Sequence, residues 1–399
     1  MNKAVQMNKI LGITGIRSDY DLMTSLYNKF MDNPEIDFRL LVGSAHLSKT
    51  YGHTIDNIID DGFPILSSIE CLIDSDTPSS RLKTASIMLM NSIDIVSNWS
   101  PDIIIYAGDR EEVWIGAMLG TYLEIPTVHF YGGDHTITGH VDNPVRHAVS
   151  KLSTVHMVAM EEHKKRLLLM GESANRIHVI GNMSLDNFMS TRIIPLLELK
   201  KQIGMRIDFN NFALLIFHPD PSEKSVAGTY FENILLELKS SGINTCVSYP
   251  NTDPANKSII DLIEKHKNEK TFYFYKNLNR DQFISLYKYS RFIIGNSSSG
   301  IMEAASIPIP AINVGLRQVG RFAGKNVIFC RGDRNNIAKA IKCALSSNFR
   351  KTIKDIHNPY GNGKSTEKAY KILLKHNFNA IRLKKEDPLV TSHRIFPLT

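Results

Sequence analysis

Twelve short apolar runs limit what this chain can fold into. Six fall in the first half: KILGIT, DFRLLVG, DIIIYAGD, PTVHFYGGD, VHMVAM and RIHVIGN. Six fall in the second: FALLIFHPD, INTCVSYPN, TFYFYKN, RFIIGNSSS, IPAINVG and NVIFC. Segments with helical spacing separate many of them, among them DLMTSLYNKFM, EEVWIGAMLGTYL, FENILLELKSSG and DQFISLYKY. Strands alternating with helices imply parallel sheets with helices on both faces. Runs apolar throughout, rather than at every second residue, fit strands buried on both sides. The expected fold class is α/β, with two Rossmann-like doubly wound domains. The segment from Asp186 to Met205 lacks a strand and reads as the connection. The expected boundaries are 1–190, 191–370 and a C-terminal helix and tail, 371–399.

A chain of 399 residues has room for two such domains. Its composition, 43% hydrophobic and 22% charged, is that of a soluble globular protein. The net charge of +7 is spread thinly, with no block of like charges, so a concentrated basic face for nucleic acid is not expected. Cys71, Cys246, Cys330 and Cys343 are scattered without a CxxC or Cys/His cluster, which argues against a zinc site or a disulfide framework. The N-terminus has no long apolar stretch followed by a cleavage site. No segment reaches the ~18 consecutive apolar residues of a membrane span. A cytoplasmic protein with no membrane partner is expected.

Ligands of open α/β sheets bind outside the carboxyl ends of the strands. Those ends carry Arg17, His46, Gly108-Asp109-Arg110, Gly132-Gly133-Asp134, His218, Asn251 with Asp253, and the run Asn296 to Ser299. The last run is followed by Gly300 and Glu303. Small residues at a strand exit let the backbone approach a ligand. Serine hydroxyls and N–H groups at the next helix start can hold a phosphate. Glu303 would repel phosphate but could accept two hydroxyl protons, as a ribose diol requires. Serines followed by a carboxylate therefore read as diphosphate followed by ribose. The alternative is an N-cap serine and a solvated glutamate.

The segment GNSSSGIMEAASIPIPAINVGLRQVGRFAGKNVI resembles the nucleotide-binding segment of the UDP-N-acetylglucosamine 2-epimerases, and more narrowly their hydrolysing branch. TGIRSDY, AGDREE, GGD followed by VDNPVRHAVSKLSTVHMV, GNMSLDN, FHP and PNTD match in the same order, so the resemblance runs from about Ile10 to Lys364. It implies two Rossmann-like domains facing a cleft, as in GT-B glycosyltransferases, with the N-terminal domain on the sugar side and the C-terminal one binding UDP. It also implies a reaction. A base removes the proton on carbon 2 of the sugar, UDP leaves carbon 1, and the resulting 2-acetamidoglucal is hydrated to N-acetylmannosamine. No cofactor and no metal are called for. A UDP-sugar is the expected small-molecule partner, the expected assembly a homo-oligomer (dimer or tetramer), and the expected context sialic acid biosynthesis.

Residue by residue, the resemblance assigns acid/base chemistry to Asp109, Asp142 and His218. It places Arg17 and Arg317 near the diphosphate, where a guanidinium fork suits two oxygens. Ser297, Ser298 and Gly300 fall to the phosphate segment, Glu303 to ribose, and Arg146, His46 and Asn251 to the substrate site. Asp109 could instead cap the following helix. Asp142 and Arg146 could be an i,i+4 surface pair. His53, His135 and His147 read as packing or surface histidines.

The chain departs from the family at Tyr131, where some members carry a glutamate acid/base before Gly-Gly. Asp134 is the expected base here, with Tyr131 as an alternative proton donor. The altered loop could also mark a different sugar, such as a 2,4-diacetamido-2,4,6-trideoxy sugar on a legionaminic-type route. A GT-B glycosyltransferase, a non-hydrolysing epimerase and a non-catalytic UDP-sugar binder are the rivals. The opening TGIRSDY disfavours the second, and the acid/base set disfavours the third.

Overall fold

The computed structural model describes residues 9–75, 77–135, 141–206, 208–250, 256–276 and 278–386. Contacts divide the chain into two compact units. Among described residues, the first comprises 9–135, 141–186 and 363–386, and the second 187–362.

The first unit holds a seven-stranded sheet. Its strands are β1 (Lys9–Thr14), β2 (Asp37–Gly43), β3 (Ile65–Ile69), β4 (Ile103–Ala107), β5 (Thr127–Phe130), β6 (Val155–Val158) and β7 (Ile177–Val179). They lie parallel in the order β3-β2-β1-β4-β5-β6-β7. The order reverses between β1 and β4, so the crevice of this doubly wound sheet opens at their carboxyl ends. β4 shows why the strands read as unbroken apolar runs: Ile103, Ile104 and Ile105 are each 0% exposed, two facing one core layer and Ile104 the other. Burying one such side chain contributes about 1.5–3 kcal/mol.

β3 is the strand that the apolar pattern missed. Its sequence ILSSI carries two serines in five residues, and as an edge strand it is mostly only partly buried.

The second unit holds β8 (Ala213–Ile216), β9 (Thr245–Ser248), β10 (Phe272–Tyr275), β11 (Ile293–Gly295), β12 (Ala311–Val314) and β13 (Val327–Cys330). They are parallel in the order β10-β9-β8-β11-β12-β13, with the reversal between β8 and β11. All six sit within the runs read from sequence. The connection carries helices Ser184–Ser190 and Leu196–Ile203.

The C-terminal boundary differs from the expected 370. The chain from Gly363 on belongs with the first unit. The Asp186 carboxylate accepts the N–H groups of Ser365 (3.0 Å) and Thr366 (2.6 Å), two first-turn donors that helix Ser365–Lys375 cannot satisfy itself. Ala369, Leu373 and Phe378 then pack into the core with Phe30 and Phe38. Further on, Arg176, 2% exposed, donates to the Ile381 carbonyl (2.6 Å), the Leu383 carbonyl (3.0 Å) and both Glu386 oxygens (2.8 and 3.0 Å). A polar, Pro-broken tail shows no hydrophobic period to reveal such a clamp.

Candidate active site

In the first unit, the exits of β4 and β5 converge on one arginine. Arg146 lies on helix Asp142–Leu152 with its side chain 8% exposed. Its Nη2 donates to the Asp109 carboxylate, and Nη1 donates to the Asp134 carbonyl at 3.2 Å. Asp109 therefore does not cap the next helix, whose N-cap is Arg110. Arg146 is not a surface residue either: its side chain is buried and turns inward to Asp109. Asp134 Oδ1 accepts the His135 N–H at 2.8 Å and lies 3.3 Å from His163 Nε2. Asp142 opens the helix that carries Arg146, and its charge reaches Arg110. Asp109, Asp134, Asp142 and Arg146 thus share one edge of this sheet.

Three residues behind this cluster were not singled out by sequence reasoning. His129 on β5 donates Nε2–H to the Gly108 carbonyl at 2.8 Å, fixing the turn that presents Asp109. Burial pushes its pKa down to about 3, so the ring is neutral. His163 backs Asp134, and Arg166 donates to the Gly133 carbonyl. All three sit inside apolar or helical patterns where a polar partner leaves no periodic mark.

Two expectations need correction here. Tyr131 is turned inward: its hydroxyl accepts the Met183 N–H at 3.2 Å and donates to Asn182 Oδ1 at 3.4 Å. Burial pushes its pKa up, so it is no ready proton donor. Its φ of +64°, uncommon for a side-chain-bearing residue, aims Gly132-Gly133-Asp134 away from the strand. His46 is 0% exposed, with Nε2 2.9 Å from Thr14 Oγ1 and Nδ1 2.8 Å from Thr54 Oγ1. Both ring nitrogens are engaged, so His46 braces Thr14 instead of facing a ligand. Arg17, by contrast, is largely exposed at the β1 exit, 3.4 Å from Asp21.

In the second unit, the exits of β8 and β11 are tied together by Asn296. Its Oδ1 accepts the His218 N–H at 2.8 Å and its Nδ2 donates to the His218 carbonyl at 2.7 Å. The Asn296 carbonyl accepts Arg317 Nη1 at 3.2 Å and Gln318 Nε2 at 3.0 Å. Gly295 before it has φ +136°, and a Cβ there would stand 2.0 Å from the Ile216 carbonyl oxygen. Only glycine permits this approach of the two strands.

Ser297 caps the five-residue helix Ser298–Met302 by accepting the Ser299 N–H at 3.3 Å. Glu303 ends that helix, and its Oε2 accepts the Ser299 hydroxyl. Burial pushes the Glu303 pKa up, against the pull of Ser299. Gly300 departs from the expected ligand contact. It is buried, its N–H is given to the Ser297 carbonyl at 3.2 Å, and its Cβ direction points at Ala311 and Ile293 of the sheet. Asn251 lies outside the described residues. Among the described residues no group of three His, Cys, Asp or Glu side chains is placed to hold a metal ion, and no helix is long and apolar enough to cross a membrane.

Two doubly wound parallel units of this kind make an α/β protein of the GT-B-like class. The family model described as UDP-N-acetylglucosamine 2-epimerase matches residues 28–374. A protein of Neisseria meningitidis named UDP-N-acetylglucosamine 2-epimerase is 33% identical over 344 residues, covering 85% of this chain and 88% of the relative. A protein of Legionella pneumophila named UDP-N,N'-diacetylbacillosamine 2-epimerase (hydrolyzing) is 32% identical over 367 residues, covering 92% and 96%. A solved UDP-GlcNAc 2-epimerase from Neisseria meningitidis bound to UDP-GlcNAc shares the fold with a TM-score of 0.75 at 18% identity, covering 92% of this chain and all of that one (100%). The chain belongs to the UDP-N-acetylglucosamine 2-epimerase family, in its hydrolysing branch, and is an enzyme that acts on a nucleotide sugar.

Proposed function

We propose that this enzyme converts UDP-N-acetylglucosamine, or a related UDP-2-acetamido sugar, and water to N-acetylmannosamine, or its analogue, and UDP. The observation that carries this reading is the set of carboxylates at the exits of one sheet, with Asp109 and the Asp134 main chain held by the buried Arg146. Asp134 takes the proton from carbon 2 as the carbon 1–oxygen bond to UDP breaks, which leaves the 2-acetamidoglucal. Water then adds its oxygen at carbon 1, and a proton returns to carbon 2 on the opposite face. Asp109, Asp142 and His218 serve these proton transfers, since a carbon-bound proton is weakly acidic and needs placed acid/base groups. Arg17, Arg317, Ser297 and Ser298 take the diphosphate, and Glu303 takes the ribose hydroxyls.

A second substrate, the UDP-2,4-diacetamido-2,4,6-trideoxy sugar, is favoured by the Legionella relative's name. The test is incubation with both UDP-sugars in deuterated water, read by NMR. Release of UDP with inversion and deuterium at carbon 2 is expected for one of them. Transfer of the sugar to an acceptor with carbon 2 untouched would instead make the protein a glycosyltransferase.

A further inference from the structure

Two carboxyl groups lie buried where β1 and β4 end side by side, and the reaction above does not use them. Asp19 stands in the first turn of helix Arg17–Met31 and Glu112 in the first turn of helix Glu111–Tyr122, 8% and 2% exposed. Asp19 accepts the Thr14 hydroxyl (2.7 Å), the Gly15 N–H (3.2 Å) and the Ile16 N–H (3.3 Å). Glu112 presses on the same turn: a Cβ on Gly15 would stand 2.5 Å from its Cδ. Both buried carboxyl groups thus press on one turn, and the charge of Glu112 bears on Asp19. Two like charges confined there repel, which favours a state with one proton held by the pair. The three donors around Asp19 favour the charge there, which leaves the proton on Glu112.

Arg110 Nε is 3.3 Å from Glu112 Oε1 and feels the charges of Glu111, Asp19 and Asp142 as well. Tyr27 and Cys71 face the pair, and His46 reaches it through Thr14. We propose that Asp19 and Glu112 share one proton and, as a monoanionic pair, position the Gly15–Arg17 turn and the Arg110 guanidinium at the switch point of the first sheet. This deepens the function proposed above and rests on it for the activity readout. Burial, then the neighbouring Glu112, raises Asp19 to about 7, and burial raises Glu112 despite Arg110. The pair titrates as a unit. Rising pH removes the shared proton and sets two like charges against Gly15. The turn then loosens and Arg17 loses its place.

The experiment combines kinetics with infrared spectroscopy on the whole enzyme. Glu112→Ala should lower kcat/KM about tenfold or more at every pH, as loss of a buried hydrogen-bond partner does. Glu112→Gln can donate like the acid but cannot lose a proton. It should restore most of that loss and lack the parent's alkaline fall. The parent should show a protonated carboxyl stretch near neutral pH that fades as pH rises and is absent from Glu112→Gln. No such band, or superimposable pH profiles of parent and Glu112→Gln, overturns the pair. If no UDP-sugar is turned over at all, the proposed function fails, and the infrared band still decides the pair.

Discussion

The side-chain amide of Asn296 closes two hydrogen bonds on the main chain of His218, 2.8 Å from its N–H and 2.7 Å to its carbonyl. An asparagine from the β11 exit thereby does for the β8 exit what another strand residue would do, 78 residues away in sequence. Asn296→Ala leaves both main-chain groups of His218 without that partner, in a half-buried loop. The expected cost is about 1–3 kcal/mol in chemical denaturation, with a loss of turnover from a misplaced His218. Asn296→Asp keeps the acceptor and loses the donor, so it should fall between parent and alanine. Full activity in the alanine variant would remove His218 from the reaction.

Arg146 uses two separate guanidinium nitrogens on two targets, Asp109 and the Asp134 carbonyl. Lysine offers one point charge and cannot span both. Arg146→Lys should therefore reduce turnover at least ~10-fold, while UDP affinity in calorimetry stays within a few-fold. Asp109→Asn, which keeps shape but not proton acceptance, should reduce turnover by about 10²–10⁴. Turnover within a few-fold of the parent in both would move the chemistry to Asp134 and Asp142.

Glu303 tests the nucleotide half. Its carboxylate is held by the Ser299 hydroxyl at the end of a five-residue helix. Loss of a charge-assisted bond to a ribose hydroxyl costs ~1.5–3 kcal/mol, so Glu303→Ala should raise the Kd for UDP roughly 10- to 150-fold. An unchanged Kd would leave Glu303 as a cap for its own helix.

Acid stability follows from His46, which burial lowers from 6.5 to about 4. The unfolded chain binds a proton below about pH 6.5 that the folded chain refuses until pH 4, so this residue subtracts stability as pH falls through that window. The full loss is on the order of 3 kcal/mol. Asp19 and Glu112 act with the opposite sign over the same range, so the useful comparison is parent against His46→Gln. The variant's urea midpoint should depend less steeply on acid. Parallel curves would mean that His46 is protonated in the native protein.

The C-terminal clamp predicts a stability change without a catalytic one. Arg176 is buried, and several of its donors are spent on Ile381, Leu383 and Glu386. Arg176→Ala leaves the Glu386 carboxylate and two carbonyls without those donors. Glu386 is partly exposed and keeps water, so the cost is mainly that of the unmade hydrogen bonds to the two carbonyls, about 1–3 kcal/mol. The first unit should then melt earlier. Identical melting would mean that the tail contributes nothing to the fold.

Local sequence determined most of the strands and their parallel arrangement, because a strand buried on both faces is apolar along most of its length, as β4 and β8 are. It also located the exits, since small and charged residues stand where those runs stop, as Asp109, Asp134 and Ser297 do. Edge strand β3 escaped notice because partial burial allows a mixed composition. Tertiary structure alone decided the partners. Whether Asp109 caps a helix or meets Arg146, whether His46 faces a ligand or Thr14 and Thr54, and whether Tyr131 points outward or at Met183 depend on residues 37, 32 and 52 positions away. Hydrogen bonds over such separations are set by how strands stack in the sheet, and a one-dimensional period carries no record of that order. The same holds for Asp19 and Glu112, which are unremarkable first-turn acids in sequence. They become a shared-proton pair only because β1 and β4 are neighbours in the sheet.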